Sequence, residues 1–382
     1  MIERLACVVQ DYAWGHREAI AVLQGRAPTG EPEAELWMGA HPKAPSVLAD
    51  GRSLDVAVAD DPLHWLGDAV VERFGAWPFL CKILAAAEPL SIQAHPSAEQ
   101  AAAGFAREDA AGVDRGAPER TYRDPNHKPE LICALTSFEA LCGFRDLGEV
   151  RQRVDGWADP VFDPLRHHLA ASGDDESVLG ETVAWLLSGG ETVTAIADAL
   201  GRPGSPDPVA ASIAEHYPGD PGVVVSVLLN HLILAPGQAV FLGAGNLHAY
   251  LRGVGVELMA NSDNVVRGGL TPKHVDIDEL QRVVEFRPLT PDVQTASGAD
   301  HRFRSGVDEF ALTRLEVADG DEVPCSVVGP ELVVVTDGRL TLVPADGPPL
   351  ELAAGEVVAV PAATGSWRAK GAGIGWRATV NG

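Results

Sequence analysis

The sequence predicts a mainly β protein with a helical insertion, built as two jelly-roll barrels and one α-helical domain. Three observations lead there. Short apolar runs of strand length, punctuated by Gly, Pro and Asp turns, fill residues 77–96, 130–144, 239–242 and 254–259, and resume from about residue 286 to the C-terminus. Between residues 146 and about 230 the pattern changes: Val178, Leu179, Val183, Leu186 and Leu187 recur at helical spacing, with GRPGSPDP and YPGDPG as breaks. Finally, APGQAVFLGAGNLHAY (residues 235–250) is echoed by AAGEVVAVPAATGSWR (residues 353–368) at a constant offset of 118 residues. Both read as Gly turn, apolar strand, small-residue turn, strand, the mark of a duplicated antiparallel barrel. The division that follows is residues 1–145 as the first part of one barrel, 146–224 as the helical insertion, 225–285 as the barrel's second part, and 286–382 as a C-terminal jelly roll.

The local signals agree with this order. Residues 77–96 read as two strands joined by a tight turn at Glu88-Pro89, and Ser97 with Gln100 forms a capping box that opens an alanine-rich helix. Residues 110–121 are polar and Gly/Pro-bearing, a surface loop with the makings of a lid. At the 118-residue offset His248 falls on Ser366, so the second barrel lacks the chemistry of the first and is assigned a structural role.

Composition narrows the function classes. The 382 residues suffice for more than one compact unit, and no apolar run approaches the roughly 18 to 20 residues that span a bilayer. With no basic-then-apolar leader after Met1 and five scattered cysteines lacking any C-x-x-C pair, a soluble cytoplasmic protein is expected. The formal net charge of -25 argues against nucleic acid or an anionic membrane as partner. An anionic small molecule would need a locally basic pocket. Only five of the 29 basic residues are lysines (Lys43, Lys82, Lys128, Lys273, Lys370), so a retained lysine hints at a need for a compact ammonium.

Three segments carry candidate metal donors. In LSIQAHP, Ser91, Gln93 and His95 share a face if the segment is a strand; in DPNHKPEL the same period aligns Asn126, Lys128 and Glu130; GAGNLHAYL aligns Asn246, His248 and Tyr250. A strand face made only of polar groups is costly inside a barrel unless something binds them, because each unpaired buried polar group costs about 1 to 3 kcal/mol. Two histidines with oxygen donors suit Zn²⁺ or another first-row divalent ion, in a shell open to water or substrate. Read singly, each segment is equally compatible with a solvent-facing strand or a structural histidine.

Taken in order, YAWG (residues 12–15), ELWMGAHP (35–42), LSIQAHP (90–96), YRDPNHKPEL (122–131), FEALCGF (138–144), GNLHAYL (245–251) and VELMANSDNVVRGGLTPKHVD (256–276) closely resemble the motifs of the type I mannose-6-phosphate isomerases, or phosphomannose isomerases, of the cupin superfamily. The resemblance implies one Zn²⁺ per chain held by Gln93, His95, Glu130 and His248, and a central cupin barrel, helical insertion and C-terminal jelly roll. It also implies interconversion of mannose 6-phosphate and fructose 6-phosphate through a cis-enediol, supplying mannose for GDP-mannose synthesis or mannose catabolism. The departures are Arg123, where lysine is frequent, and Asn261, where small residues or Cys are usual. Beyond about residue 292 only the general pattern matches.

That reaction needs a base, stabilisation for an enediolate and a grip on phosphate. Arg267 is the candidate for the enediolate, its competing reading being an ion pair with Asp263. Glu257, a carboxylate in an apolar strand, is the first candidate base, with Lys128 and Lys273 as rivals. Ser91 and Lys82, together with Lys128 and Lys273, are candidates for phosphate, a buried structural ion pair being the competing reading for Lys82. Trp14 and Trp37 are assigned to packing or pocket walls, His41, His127 and His274 carry no ligand role, and His167-His168 reads as a solvated pair. The partner expected is a small sugar phosphate, bound by a monomer or weak homo-oligomer. Two other classes fit a cupin: a non-catalytic sugar-binding protein, and an iron dioxygenase.

Overall fold

The computed structural model describes residues 1–381. Its strands form two antiparallel sheets. The first runs in the order Gln294–Thr295, Gln238–Leu242, Glu130–Ala134, His248–Ala260, Phe79–Ala86, Glu35–Met38, Val8–Gln10, with Gln93–Ala94, Val266–Arg267, Phe138–Phe144 and Leu229–Leu234 attached beside this path. The long His248–Ala260 strand is its spine. The far half of that strand pairs with Phe79–Ala86 and Glu130–Ala134, whereas its first residues pair with Gln93–Ala94 and Phe138–Phe144. Gly253 makes the change of partners possible. Its φ of 128° disfavours a side chain, and a Cβ there would strike Ser137 and Phe138.

The second sheet runs Asp300–Arg302, Ala311–Val317, Ser366–Thr379, Glu331–Pro344, Val357–Val360, Glu3–Ala6, Val47–Leu48, with Glu322–Ser326 and Leu350–Ala353 at its side. The internal echo survives in the fold: the strands Gln238–Leu242 and Val357–Val360 precede the two long strands, which open at His248 and Ser366. Between the two parts of the first sheet, α-helices fill the stretch from Leu147 to Val225. Asp146, Asp174, Asp207 and Asp220 each cap a helix there by accepting backbone N–H groups. Their apolar faces, including Val178, Leu179, Val183 and Leu186, close on one core that reaches Ile92, Ala94 and Leu247 of the first sheet. The helical insertion therefore buttresses the strand ends that carry the candidate donors. Among the described residues no helix is long and apolar enough to cross a membrane.

Two expectations need correction. Residues 77–96 are not a hairpin: Phe79–Ala86 pairs with Glu35–Met38 and His248–Ala260, and the second strand shrinks to Gln93–Ala94. Ser91 and His95 therefore lie outside it. The segment stays extended, but its amides turn alternately to different neighbours, Leu90 N–H to the Tyr250 carbonyl and Ile92 N–H to the Gly269 carbonyl, between two prolines that donate nothing. Nor do residues 1–145 belong wholly to the first sheet. Glu3–Ala6 pairs with Val357–Val360 and Val47–Leu48 pairs with Glu3–Ala6, while Gln294–Thr295, placed in the C-terminal unit, pairs with Gln238–Leu242. The physical reason is the exposed hydrogen-bonding edge of Val357–Val360, which a distant segment covers.

The capping box forms as read: Ser97 Oγ accepts from Gln100 N–H and Gln100 Oε1 from Ser97 N–H, opening the helix Ala98–Ala110. On that helix Gly104 lies against the fully buried Tyr122 ring, whose hydroxyl donates to Glu279 Oε1 at 2.5 Å. A Cβ at Gly104 would sit inside that ring. Gly104→Ala is expected to destabilise by about 1–3 kcal/mol, the usual overpacking cost, despite the higher helix propensity of alanine. Urea unfolding would measure it, and a neutral or stabilising result would contradict this packing.

Candidate metal centre and substrate pocket

His95, Glu130 and His248 converge from three separate segments, and one donor atom from each lies within 4.8 Å of the other two. All three side chains are buried. His95 Nε2 is 3.3 Å from Glu130 Oε1, and His248 Nε2 is 3.4 Å from Glu130 Oε2. The other nitrogen of each ring is engaged: His95 Nδ1 is 2.8 Å from the Asn264 carbonyl and His248 Nδ1 is 2.9 Å from the Asn246 carbonyl. A carbonyl only accepts, so each Nδ1 carries the proton and each Nε2 presents its lone pair to the centre. His95 Nε2, His248 Nε2 and Glu130 Oε2 are buried without a hydrogen-bond partner among the described residues. Such orphans are rare in a native fold, and a divalent cation at their focus satisfies all of them at once.

The electrostatics suit a cation. Burial, with help from the Lys128 ammonium, lowers the proton affinity of His95 to a pKa of about 4, which leaves it a neutral ligand near neutrality. Burial disfavours the Glu130 anion, yet Lys128 and the two histidines outweigh it and hold the carboxyl well below its usual range. Lys128 Nζ lies 2.8 Å from Glu130 Oε1. Gln93 joins the set through sheet register: it is the Cα partner of His248 on one side and of Arg267 on the other. Directly paired residues of an antiparallel ladder project to one face, so Gln93 stands between a donor histidine and a cation.

The other candidates separate into two groups. Lys82 is buried with its ammonium 2.9 Å from Glu257 and 3.2 Å from Glu35, over the Trp37 ring at 5.4 Å. Burial works against that charge, but the two carboxylates outweigh it and keep Lys82 protonated. Glu257 is shifted the other way from Glu130: burial raises its proton affinity, Lys82 pulls it back, and the negative Glu130 and Glu35 push it up again. Arg267 has no carboxylate within ion-pair distance among the described residues. Asp263, its supposed partner, sits 2.8 Å from Lys43 instead. Burial lowers the proton affinities of both Arg267 and Lys273; the charge of Arg123 adds to it in both, and that of Arg267 in Lys273. None of the three has a carboxylate partner among the described residues, although the Arg123 guanidinium donates to the Arg115 carbonyl at 2.9 Å and the Ala117 carbonyl at 3.4 Å. Ser91, half-buried, makes no side-chain hydrogen bond in the described structure.

Sequence reasoning passed over three contributors. Arg123 was noted only as a departure from a motif, although its place five residues before Lys128 was the available signal. Tyr250, aligned with His248 by period, has a buried hydroxyl with no partner, and burial together with Glu257 and Glu130 keeps it a phenol far above its ordinary pKa. Glu35 was quoted within ELWMGAHP but given no role. Elsewhere, His168 is not simply solvated, since its ring stacks on Trp185 at 3.9 Å.

A buried donor set of this kind, gathered around the spine strand of the first sheet, is one that could hold a divalent metal ion, as metal-dependent enzymes do. Residues 2–147 match the family described as phosphomannose isomerase type I, catalytic domain. The chain is 42% identical over 358 residues to the mannose-6-phosphate isomerase of Escherichia coli (strain K12), covering 89% of this chain and 90% of that one. It superposes on the apo phosphomannose isomerase of Salmonella typhimurium with a TM-score of 0.91 at 39% identity, covering 100% of this chain and 99% of that one. A zinc-bound mannose 6-phosphate isomerase structure gives a TM-score of 0.90 at 39% identity and the same coverage. The chain belongs to the type I mannose-6-phosphate isomerase family.

Proposed function

We propose that this chain interconverts mannose 6-phosphate and fructose 6-phosphate, using zinc held by Gln93, His95, Glu130 and His248. The observation that carries the reading is the set of orphaned donor atoms focused on one point beside an unpaired cationic cluster. When bound, the zinc supplies Lewis-acid polarisation and orientation of the sugar oxygens.

The remaining work falls to side chains. Arg267, in register with Gln93, is placed to stabilise the enediolate by fixed charge at the metal end of the pocket. Arg123 and Lys273, adjoining Arg267, extend that positive field to where the phosphate would sit. This reassigns the grip: Lys82, shared between two carboxylates, offers a phosphate dianion no net positive charge, whereas Arg123 and Lys273 do. Ser91 remains a hydroxyl contact for the sugar phosphate. Glu257 is the proposed base for the C1–C2 transfer, because burial lifts its proton affinity toward the working range of a general base and Lys82 holds its carboxylate in place. Lys128, an ammonium against Glu130, acts as a donor and not as a base. Burial and the neighbouring Glu257 carboxylate keep the Tyr250 hydroxyl protonated, so it can act as a donor beside the proposed base. We further propose the domain division given above, amended for the exchanged strands.

The protein so described is a soluble monomer or weak homo-oligomer of the cytoplasm. A coupled assay that follows fructose 6-phosphate formation from mannose 6-phosphate, run with metal analysis, tests the function. Turnover is expected with zinc-loaded protein and is expected to disappear on chelation. A zinc-loaded, folded protein without turnover would leave a sugar-binding cupin, and iron with oxygen consumption would point to a dioxygenase.

A further inference from the structure

Asn264 lies beside the candidate donors, but its side chain touches neither a donor atom nor a charged group of Arg123, Arg267 or Lys273. It is fully buried. Its Oδ1 accepts the Arg123 N–H at 2.7 Å and the Asp124 N–H at 3.3 Å. Its Nδ2 donates to the Asp124 carbonyl at 2.8 Å and the Asn126 carbonyl at 2.9 Å, with the Asp124 carboxylate at 3.4 Å. The orientation of the amide is fixed by this arrangement, since a flipped group would aim its oxygen at two carbonyls. The turn it grips leads straight into Lys128 and Glu130. Its own carbonyl accepts the Nδ1 proton of His95 at 2.8 Å, and Arg267 follows three residues later.

We propose that Asn264 is the positioning residue that sets the metal donors and the phosphate-binding cations at a fixed separation. Resting on the reading above, the role is that of a gauge. One end of the residue holds the tautomer and aim of His95. The other end holds the turn that carries Arg123 and from which Glu130 enters the sheet. Every hydrogen-bonding site of the amide is used on this one turn, so alanine frees the turn entirely. Aspartate keeps the two acceptor contacts but turns a second oxygen toward two carbonyls and a carboxylate. A residue that only filled space would accept aspartate; a gauge does not. Ser262 supports it from outside, its Oγ accepting the Asn264 N–H at 3.2 Å and lying 2.9 Å from Asp124 Oδ1.

The test measures zinc affinity by chelator competition, and KM and kcat under zinc saturation, for the wild-type chain, Asn264→Ala, Asn264→Asp and Val333→Ala. Val333 is buried in a separate core of the second sheet that includes none of the candidate donors or their flanking residues, so its variant lowers stability without touching the turn. Both Asn264 variants should bind zinc about 10- to 100-fold more weakly, as loss of a ligand's supporting shell generally does. With zinc restored they should still show a raised KM for mannose 6-phosphate, with kcat/KM down on the order of 10²-fold from misplacement. Val333→Ala should keep wild-type values of both. Folded Asn264 variants with wild-type zinc affinity and KM would overturn the proposal, as would equal losses in Val333→Ala. If Asn264→Ala does not fold, Ser262→Ala reads the same quantities, and an unchanged KM and zinc affinity there would count against the gauge. A wild-type chain that binds zinc but does not isomerise the sugar would sink the functional reading alone, because the zinc-affinity comparison still decides the role of Asn264.

Discussion

Replacing His248 by alanine is expected to release the metal and abolish isomerisation together. The imidazole brings a lone pair already aimed by the Asn246 carbonyl, and it enters from the first residue of the spine strand, where no neighbouring side chain can substitute. Its loss would leave Glu130 Oε2 facing neither the imidazole nor a metal, with the Lys128 ammonium against the other oxygen. Zinc affinity should drop by more than about 10²-fold, beyond the usual effect of disturbing a ligand's support. Gln93→Ala should act in the same direction to a smaller extent, since a neutral amide oxygen is a weaker donor than imidazole. Metal analysis beside the coupled assay measures both. Wild-type metal content in His248→Ala would contradict the proposed site.

Arg267→Ala is expected to give the opposite dissociation, with metal retained and turnover lost. Its guanidinium is half-buried, without a carboxylate partner among the described residues and carried by the residue directly opposite Gln93, so it contributes charge to the site and no donor to the metal. Removing a preorganised charge that meets a developing oxyanion typically costs about 10²–10³-fold in kcat. Arg267→Lys should recover only part of this, because a compact ammonium lacks the fork geometry. Equilibrium dialysis against zinc and steady-state kinetics would separate the two effects. Activity within a few-fold of wild type, or loss of zinc, would remove Arg267 from the role.

The candidate donors His95, Glu130 and His248, which the fold brings together, could be picked out because each lies in a short segment whose chemistry is local: a polar pair in an apolar run, a carboxylate after a proline, a histidine after glycines. The helical insertion was legible for a related reason, since its periodicity needs only neighbours three and four residues apart. What could not be read was every feature decided by partners far along the chain. An ion pair was one of two readings for Lys82, but its partners Glu35 and Glu257 could not be named, one of them 47 residues away. Arg267 was offered Asp263 by proximity in sequence, yet Asp263 goes to Lys43. The amide of Asn264 spends its hydrogen bonds on a turn about 140 residues earlier. The capping box of Ser97 and Gln100, by contrast, closes within one helical turn and was read correctly from four letters.

The strand Glu3–Ala6 lies against Val357–Val360, and Arg4 donates to Glu351 and Glu356 across 352 and fewer residues of chain. On the ribosome Glu3–Ala6 emerges long before Val357–Val360 exists, so this pairing must wait until all the chain between them has been made. Non-local pairings of this span are slow to form, and such an uncovered edge is a template for a neighbouring nascent chain. The yield of this protein in a cell should therefore depend on how quickly translation finishes and on the chaperones that shield its first residues, more than on the final stability of the fold.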